Sequence, residues 1–192
     1  MSTERRSRIY RACGILPRHM KRITNEHIGW GEAKEKAEGL QGNGSVIALV
    51  GQRGTGKTQL AAGLIRRAIK RADVDRYMET PDWTCYMTAT QFFMRVKASY
   101  DDAKENEPAI IKDLLRPPIL VIDEVHERKC SPWEDSLLIT LLDTRYGHEK
   151  DTVLISNQSP EDFINNVGPS IADRMNEGGG IIEMNWKSFR GA

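Results

Sequence analysis

The sequence predicts an α/β fold in which a five-stranded parallel sheet carries helices on both faces. Three observations lead there. Apolar, β-rich runs at residues 45–50, 83–88, 119–123, 152–156 and 180–186 alternate with helical or irregular stretches, the pattern of a parallel sheet covered by helices. The first run ends in the glycine-rich turn Gly51-Gln52-Arg53-Gly54-Thr55-Gly56-Lys57-Thr58. The third ends in two adjacent carboxylates, Asp123 and Glu124, at the kind of strand end where open α/β sheets hold their ligands.

The stretches between the runs carry helical periodicity. Residues 57–71 space Leu60, Leu64, Ile65 and Ala68 along one face, residues 90–100 do so with Phe92, Phe93 and Val96, and residues 133–146 with Leu137, Leu138, Leu141 and Leu142. These faces are expected in the core. The polar segment 101–108, with Asp101, Asp102, Lys104, Glu105 and Glu107, reads as a solvated connection or a helix end. The run Gly178-Gly179-Gly180 reads as a flexible turn before the last strand, and there is no internal repeat.

A length of 192 residues fits one domain with a sizeable core. A content of 39% hydrophobic and 29% charged residues describes a soluble globular chain without a span long enough to cross a bilayer, so a cytoplasmic protein is expected. The arginines near the N-terminus lack the apolar segment of a signal peptide. Cys13, Cys85 and Cys130 are odd in number and show no CxxC spacing, which argues against a disulfide framework and a zinc site. The net charge of +1 hides an asymmetry, because Arg5, Arg6, Arg8, Arg11, Arg18, Lys21 and Arg22 face the single acid Glu4 in the first 22 residues. That arm reads either as a polyanion contact or as a solvated terminus.

The chemistry explains the spelling of the glycine-rich turn. A strand that ends in such a turn and feeds a helix aims several backbone N–H groups at one anion. Residues Gly51 to Thr58 and the following Gln59 are therefore the expected nucleotide cradle. Lys57 reaches toward the β- and γ-phosphates, and the Thr58 hydroxyl with Asp123 is the expected Mg²⁺ site. Glu124, one residue beyond Asp123, is placed to orient and deprotonate an attacking water. The strand at 152–156 ends in Ser156-Asn157. If it lies between the first and third strands, Asn157 faces the γ-phosphate; otherwise it is a turn residue.

With those elements in order, the chain resembles AAA+ ATPases of the DnaC-type helicase-loader family and the related IstB-type transposition helpers. The resemblance runs from about Gly14 to Arg190. It rests on Gly14-Ile15-Leu16-Pro17-Arg18, Leu120-Val121-Ile122-Asp123-Glu124, Ile155-Ser156-Asn157, Ala172-Asp173-Arg174-Met175 and Asn185-Trp186-Lys187-Ser188-Phe189-Arg190. It implies a P-loop αβα sandwich, ATP or ADP with Mg²⁺ as ligands, and ATP hydrolysis. It implies that Arg174 is a finger inserted at a neighbouring subunit's γ-phosphate and that Arg190 senses nucleotide, so the chain self-assembles. A guanidinium at the transferring phosphate is worth roughly a thousandfold or more in rate.

The resemblance also implies single-stranded DNA contact by the helix after the second strand and the loop after the acidic strand. Those places hold Arg95, Lys97 and Tyr100, then Lys129, Ser131 and Trp133. Positive charge tracks phosphate and aromatic rings stack on bases, though Tyr100 and Trp133 also suit a core or interface. Members of the family carry a helicase-binding domain ahead of the ATPase. Here residues 1–44 read as a basic arm and an adenine-side helix, residues 45–192 as the ATPase core with its lid absent or rudimentary, and the chain as a short homologue or a fragment. The partners expected are single-stranded DNA and a replicative helicase. Alternatives are an IstB-type helper on duplex DNA, a weakly hydrolysing nucleotide-dependent adaptor, and a small-molecule kinase, the last opposed by the Asp123-Glu124 pair, Asn157 and Arg174.

Overall fold

The architecture is organised around one strand. In the computed structural model, which describes residues 3–19, 29–42, 44–71, 84–100 and 106–189, β1 (Val46–Val50) is buried along its whole length. It pairs in parallel with β4 (Asp151–Ile155) on one side and β5 (Gly180–Glu183) on the other. Beyond β4 lie β3 (Ile119–Asp123) and then β2 (Tyr86–Thr88), giving the order β2-β3-β4-β1-β5. The strand ending in Asn157 therefore does lie between the phosphate-loop strand and the acidic strand.

Alternation along each strand divides the core into two layers. Ile47, Leu49, Val121, Val153 and Ile182 face α1 (Thr3–Ala12), α2 (Trp30–Leu40) and α3 (Lys57–Arg71). Val46, Ala48, Leu120, Ile122 and Leu154 face α4 (Ala89–Ser99), α5 (Glu107–Leu114), α6 (Pro132–Gly147), α7 (Pro160–Val167) and α8 (Pro169–Gly178). Strands covered on both faces read as unbroken apolar runs, which is why the sequence announces them so plainly. The helix starts are equally local. Thr88 and Gln91 form a capping box, and the side chains of Asn106, Ser131 and Ser159 cap helices that carry proline in their first turn.

Several expectations shift. The basic arm is helical over Thr3–Ala12, and it docks through Ile9, Cys13 and Ile15, all buried. The Cys13 carbonyl accepts from the backbone N–H groups of Cys85 and Tyr86 at 3.0 and 3.1 Å and so closes the β2 edge. Of the polar segment, residues 101–105 lie outside the described residues, while Glu107 and Pro108 open α5. Trp83 is likewise outside them, and β5 ends at Glu183 because the chain then crosses toward the phosphate loop. The middle glycine of the run is a packing requirement: a Cβ on Gly179 would sit 1.8 Å from the Val46 carbonyl oxygen. Among the described residues no helix follows β5, and none is long and apolar enough to cross a membrane.

The N-terminal ends of the strands are tied by a buried arginine. Arg145, fully buried at the end of α6, donates to the Thr152 hydroxyl at 3.0 Å, the Asp151 carbonyl at 2.6 Å and the Leu114 carbonyl. Burial pulls its guanidinium down to about 10, still charged at neutral pH. The neighbouring Asp151 carboxylate accepts from the Gly42 and Ser45 backbone N–H groups, each at 3.1 Å, and from the Ser45 hydroxyl at 3.2 Å. Burial holds the Asp151 carboxyl above its ordinary range.

Candidate nucleotide site

The opposite ends of the strands build a cavity of about 510 Å³. Its floor is the turn between β1 and α3. Gly51 sits at φ 121°, and a Cβ there would meet the Met184 carbonyl oxygen at 2.5 Å, so the close passage of the turn beneath the C-terminal segment requires glycine. The Lys57 ammonium donates to the Gly51 and Gln52 carbonyls at 2.6 and 2.7 Å, spanning the loop it belongs to. The Thr55 hydroxyl also donates to the Gln52 carbonyl, at 3.0 Å. Arg53, Gly54, Gly56, Thr58 and Gln59 line the cavity with Lys57.

The acidic wall comes from β3. Asp123 is buried and accepts from the Thr58 hydroxyl at 2.9 Å and from the Tyr86 hydroxyl at 2.7 Å on one oxygen. Its other oxygen accepts from the Glu124 backbone N–H at 2.7 Å. Burial, and then the charge of Asp123, push the Tyr86 phenol far above its ordinary value of 10. Glu124 is exposed and left-handed, at φ 57° and ψ 40°. Such backbone costs about 1–3 kcal/mol and marks sites where a side chain must be re-aimed; here Glu124 reaches the cavity wall. Asn157 lines the same wall, with His126 against it.

These residues fit a nucleoside triphosphate with Mg²⁺. The volume suits such a ligand. The Thr58 hydroxyl and Asp123 carboxylate are hard oxygen donors at the foot of the loop, whereas no cluster of three or more His, Cys, Asp or Glu among the described residues could cage a metal alone. Mg²⁺ characteristically takes one or two carboxylates and completes its shell with phosphate and water.

Beside Ile155, three further lining residues had no role at the site in the sequence reading. Arg18 and His19, in the turn Pro17–His19, and Phe189, on the C-terminal segment, close one side of the cavity. The Phe189 N–H donates to the Gly54 carbonyl at 2.9 Å, and the Trp186 indole N–H to the Thr55 carbonyl at 3.2 Å. Trp30 makes edge contacts with both Trp186 and Phe189. The segment thus straps the phosphate loop to α2, and its aromatic residues are the signal that could have pointed to it.

Other expected residues lie elsewhere. Arg174 does not line the cavity; it pairs with Asp143 at 3.3 Å and lies over the Tyr146 ring at 5.3 Å, between α8 and α6. Arg190 falls outside the described residues. The residues expected at DNA gather into one surface patch held by its own contacts. Arg95 pairs with Asp113 at 2.9 Å, Lys97 lies 5.1 Å over the Trp133 ring, and Tyr100 accepts from the Trp133 indole and donates to Glu107. Ser131 caps α6 and Lys129 is exposed.

A family model described as IstB-like ATP binding protein matches residues 40–191. The chain belongs to this family. The IstB-like chain is 24% identical over 160 residues to the replicative helicase loader DnaC of Escherichia coli (strain K12), an alignment covering 83% of this chain and 62% of DnaC. It thus spans less than two thirds of that relative. Its fold matches a crystal structure of DnaI with a TM-score of 0.66 at 17% identity, over 94% of this chain and 100% of that one. It also matches the replication initiator DnaA bound to AMPPCP and single-stranded DNA, with a TM-score of 0.66 at 22% identity, over 90% of this chain and 51% of that one. The fold is that of AAA+ P-loop ATPases, and the family is the DnaC/IstB-type branch.

Proposed function

We propose that this chain binds and hydrolyses ATP and acts in DNA replication like a helicase loader, assembling on single-stranded DNA in its ATP-bound form. The observation that carries the reading is the convergence on one cavity of Lys57, the Thr58–Asp123 pair at 2.9 Å, Glu124 and Asn157. Residues 45–192 form the ATPase core in this reading. Residues 1–44 supply the base side of the site, a role supported by Arg18 and His19 in the cavity wall.

The backbone N–H groups of the turn and the Lys57 ammonium hold the β- and γ-phosphates. Thr58 and Asp123 would hold Mg²⁺, which supplies charge neutralisation at the phosphates. Glu124 takes a proton from water as the water oxygen bonds to the γ-phosphorus and the bond from that phosphorus to the ADP oxygen breaks. Asn157 holds the attacking water or the γ-phosphate in register. Arg174, outside its own cavity, serves a neighbouring copy's γ-phosphate, and Arg190 senses nucleotide. Arg95, Lys97, Tyr100, Ser131 and Trp133 form the proposed DNA surface, and a replicative helicase is the proposed protein partner.

Light scattering with a non-hydrolysable ATP analogue, with and without a single-stranded oligonucleotide or a duplex of equal length, tests the reading. Assembly requiring both nucleotide and single strand supports it, provided Lys57→Ala abolishes assembly and Glu124→Gln retains it while losing turnover. A chain that stays monomeric in every condition defeats the assembly reading and the role of Arg174. The IstB-like family match favours one second reading, a transposition helper, for which only duplex supports assembly.

A further inference from the structure

The loop after the acidic strand contributes a residue that no motif picks out. His126, half-buried directly beyond Asp123-Glu124-Val125, touches Asn157 twice. The Asn157 backbone N–H points at His126 Nδ1 at 3.4 Å, and the Asn157 amide is placed with its nitrogen Nδ2 at 3.2 Å from His126 Nε2. The same Nε2 is 3.3 Å from a Glu127 carboxylate oxygen, and that oxygen is 3.3 Å from the Arg53 guanidinium on the phosphate loop. A continuous polar chain therefore runs from the phosphate loop through Glu127 and His126 to Asn157.

The proton count on this chain has one consistent solution. A backbone N–H can only donate, so Nδ1 must accept, and in the neutral ring the proton then sits on Nε2. An Nε2–H cannot face an amide NH₂, because two donors repel. The two ends of an asparagine amide have the same shape, so partners decide which end faces the ring. Exchanging the two ends of the amide puts the Asn157 oxygen against Nε2–H and turns the NH₂ group toward the remaining open side, the cavity that Asn157 lines.

We propose that His126 is a positioning residue whose ring fixes the Asn157 amide with its NH₂ group, rather than its oxygen, presented to the γ-phosphate and the attacking water. The proposal rests on the reading of this cavity as an ATP-hydrolysing site. An anionic phosphate needs a donor at that point, and an amide free to rotate would offer its oxygen part of the time. The Glu127 carboxylate, 3.3 Å from Nε2, favours a proton on that nitrogen by its charge. Through Arg53 it also ties the setting of Asn157 to the phosphate loop.

Two experiments test the proposal. Long-range ¹H–¹⁵N NMR on the nucleotide-free protein at about pH 8, above the ordinary histidine range, should find the His126 ring as the Nε2–H tautomer; the Nδ1–H tautomer overturns the proposal whether or not the protein hydrolyses ATP. Steady-state hydrolysis then compares His126→Leu with His126→Gln, which keeps a side-chain donor. The leucine variant should lose roughly 10–100-fold in kcat, with KM and the affinity for a non-hydrolysable analogue held within about twofold. The glutamine variant should recover most of the loss, and His126→Leu should add nothing in an Asn157→Ala background. Additive losses in the double variant, or equal losses for leucine and glutamine, overturn the positioning role. A wild-type protein that binds the analogue without turnover defeats the hydrolytic reading instead, and the tautomer then decides the His126 geometry alone.

Discussion

Both ends of the sheet bury charge, and they differ in what satisfies it. At the N-terminal end of β4, Arg145 spends its donors on the Thr152 hydroxyl and the Leu114 and Asp151 carbonyls, while Asp151 accepts from Gly42 and Ser45. Every one of these partners belongs to the fold. At the C-terminal end, Asp123, Lys57 and Thr58 also pair within the protein, yet they line a cavity with Glu124 and Asn157. The same residue chemistry builds a brace at one end and a ligand site at the other. Parallel strands make this possible, since they deliver all their carboxyl ends to one edge.

Replacing the brace should give the largest loss of stability. Arg145→Ala leaves four buried acceptors, the Thr152 hydroxyl and the Leu114, Pro117 and Asp151 carbonyls, short of a donor and opens a cavity at the junction of α5, α6 and β4, so denaturant unfolding should show a loss of about 3–5 kcal/mol. Nucleotide affinity of the folded fraction should stay unchanged. A loss below about 1 kcal/mol would mean that water replaces the guanidinium and that this end is no brace.

Glycine substitutions sharpen the contrast at the next level. At Gly179 a Cβ meets the backbone of the central strand, which cannot retreat, and Gly179→Ala should cost about 1–3 kcal/mol with ATP affinity retained. At Gly54 the Cβ meets Ser188, at 1.9 Å from its hydroxyl, and the residue holds φ 84°. If the strap carrying Ser188 gives way, Gly54→Ala should cost only the left-handed strain, about 1–2 kcal/mol, while weakening nucleotide binding. Calorimetric unfolding and analogue titration on the two variants separate these outcomes. Matching profiles would show that the strap is as fixed as β1.

What the sequence disclosed follows the same division. The phosphate loop, the acidic strand end and Asn157 were legible because each is written in a few consecutive residues at the end of an apolar run. The doubly covered strands were legible for their unbroken hydrophobicity. His126, Tyr86, Arg18, His19 and Phe189 were not, because they reach the site by tertiary contact. Tyr86 belongs to the edge strand and meets Asp123 across 37 positions of sequence. Gly179 misread as a flexible turn because local composition cannot reveal that Val46 lies against it. Arg145 carries no local signal, since nothing in the neighbouring sequence says that its guanidinium is buried against α5 and β4.

Tyr86 offers the finest test, because it is a group at the site end whose hydroxyl is satisfied inside the protein. It donates to Asp123 at 2.7 Å, on the oxygen that also accepts from Thr58. Burial first, and the Asp123 charge second, raise its pKa above the ordinary value of 10. Below that pH, folded and unfolded chains both keep the proton, and Tyr86 contributes its full share of stability. Above it the unfolded chain releases the proton and the folded chain does not, so the folded state binds more protons and stability falls as pH rises toward the folded pKa. Tyr86→Phe should cost about 0.5–1.5 kcal/mol at neutral pH and should flatten the alkaline decline. Urea unfolding followed from neutral pH to about pH 11, with tyrosinate absorbance recorded alongside, measures both. If the variant keeps the wild-type slope, the hydroxyl is open to solvent, and Asp123 is oriented by Thr58 and the Glu124 N–H alone.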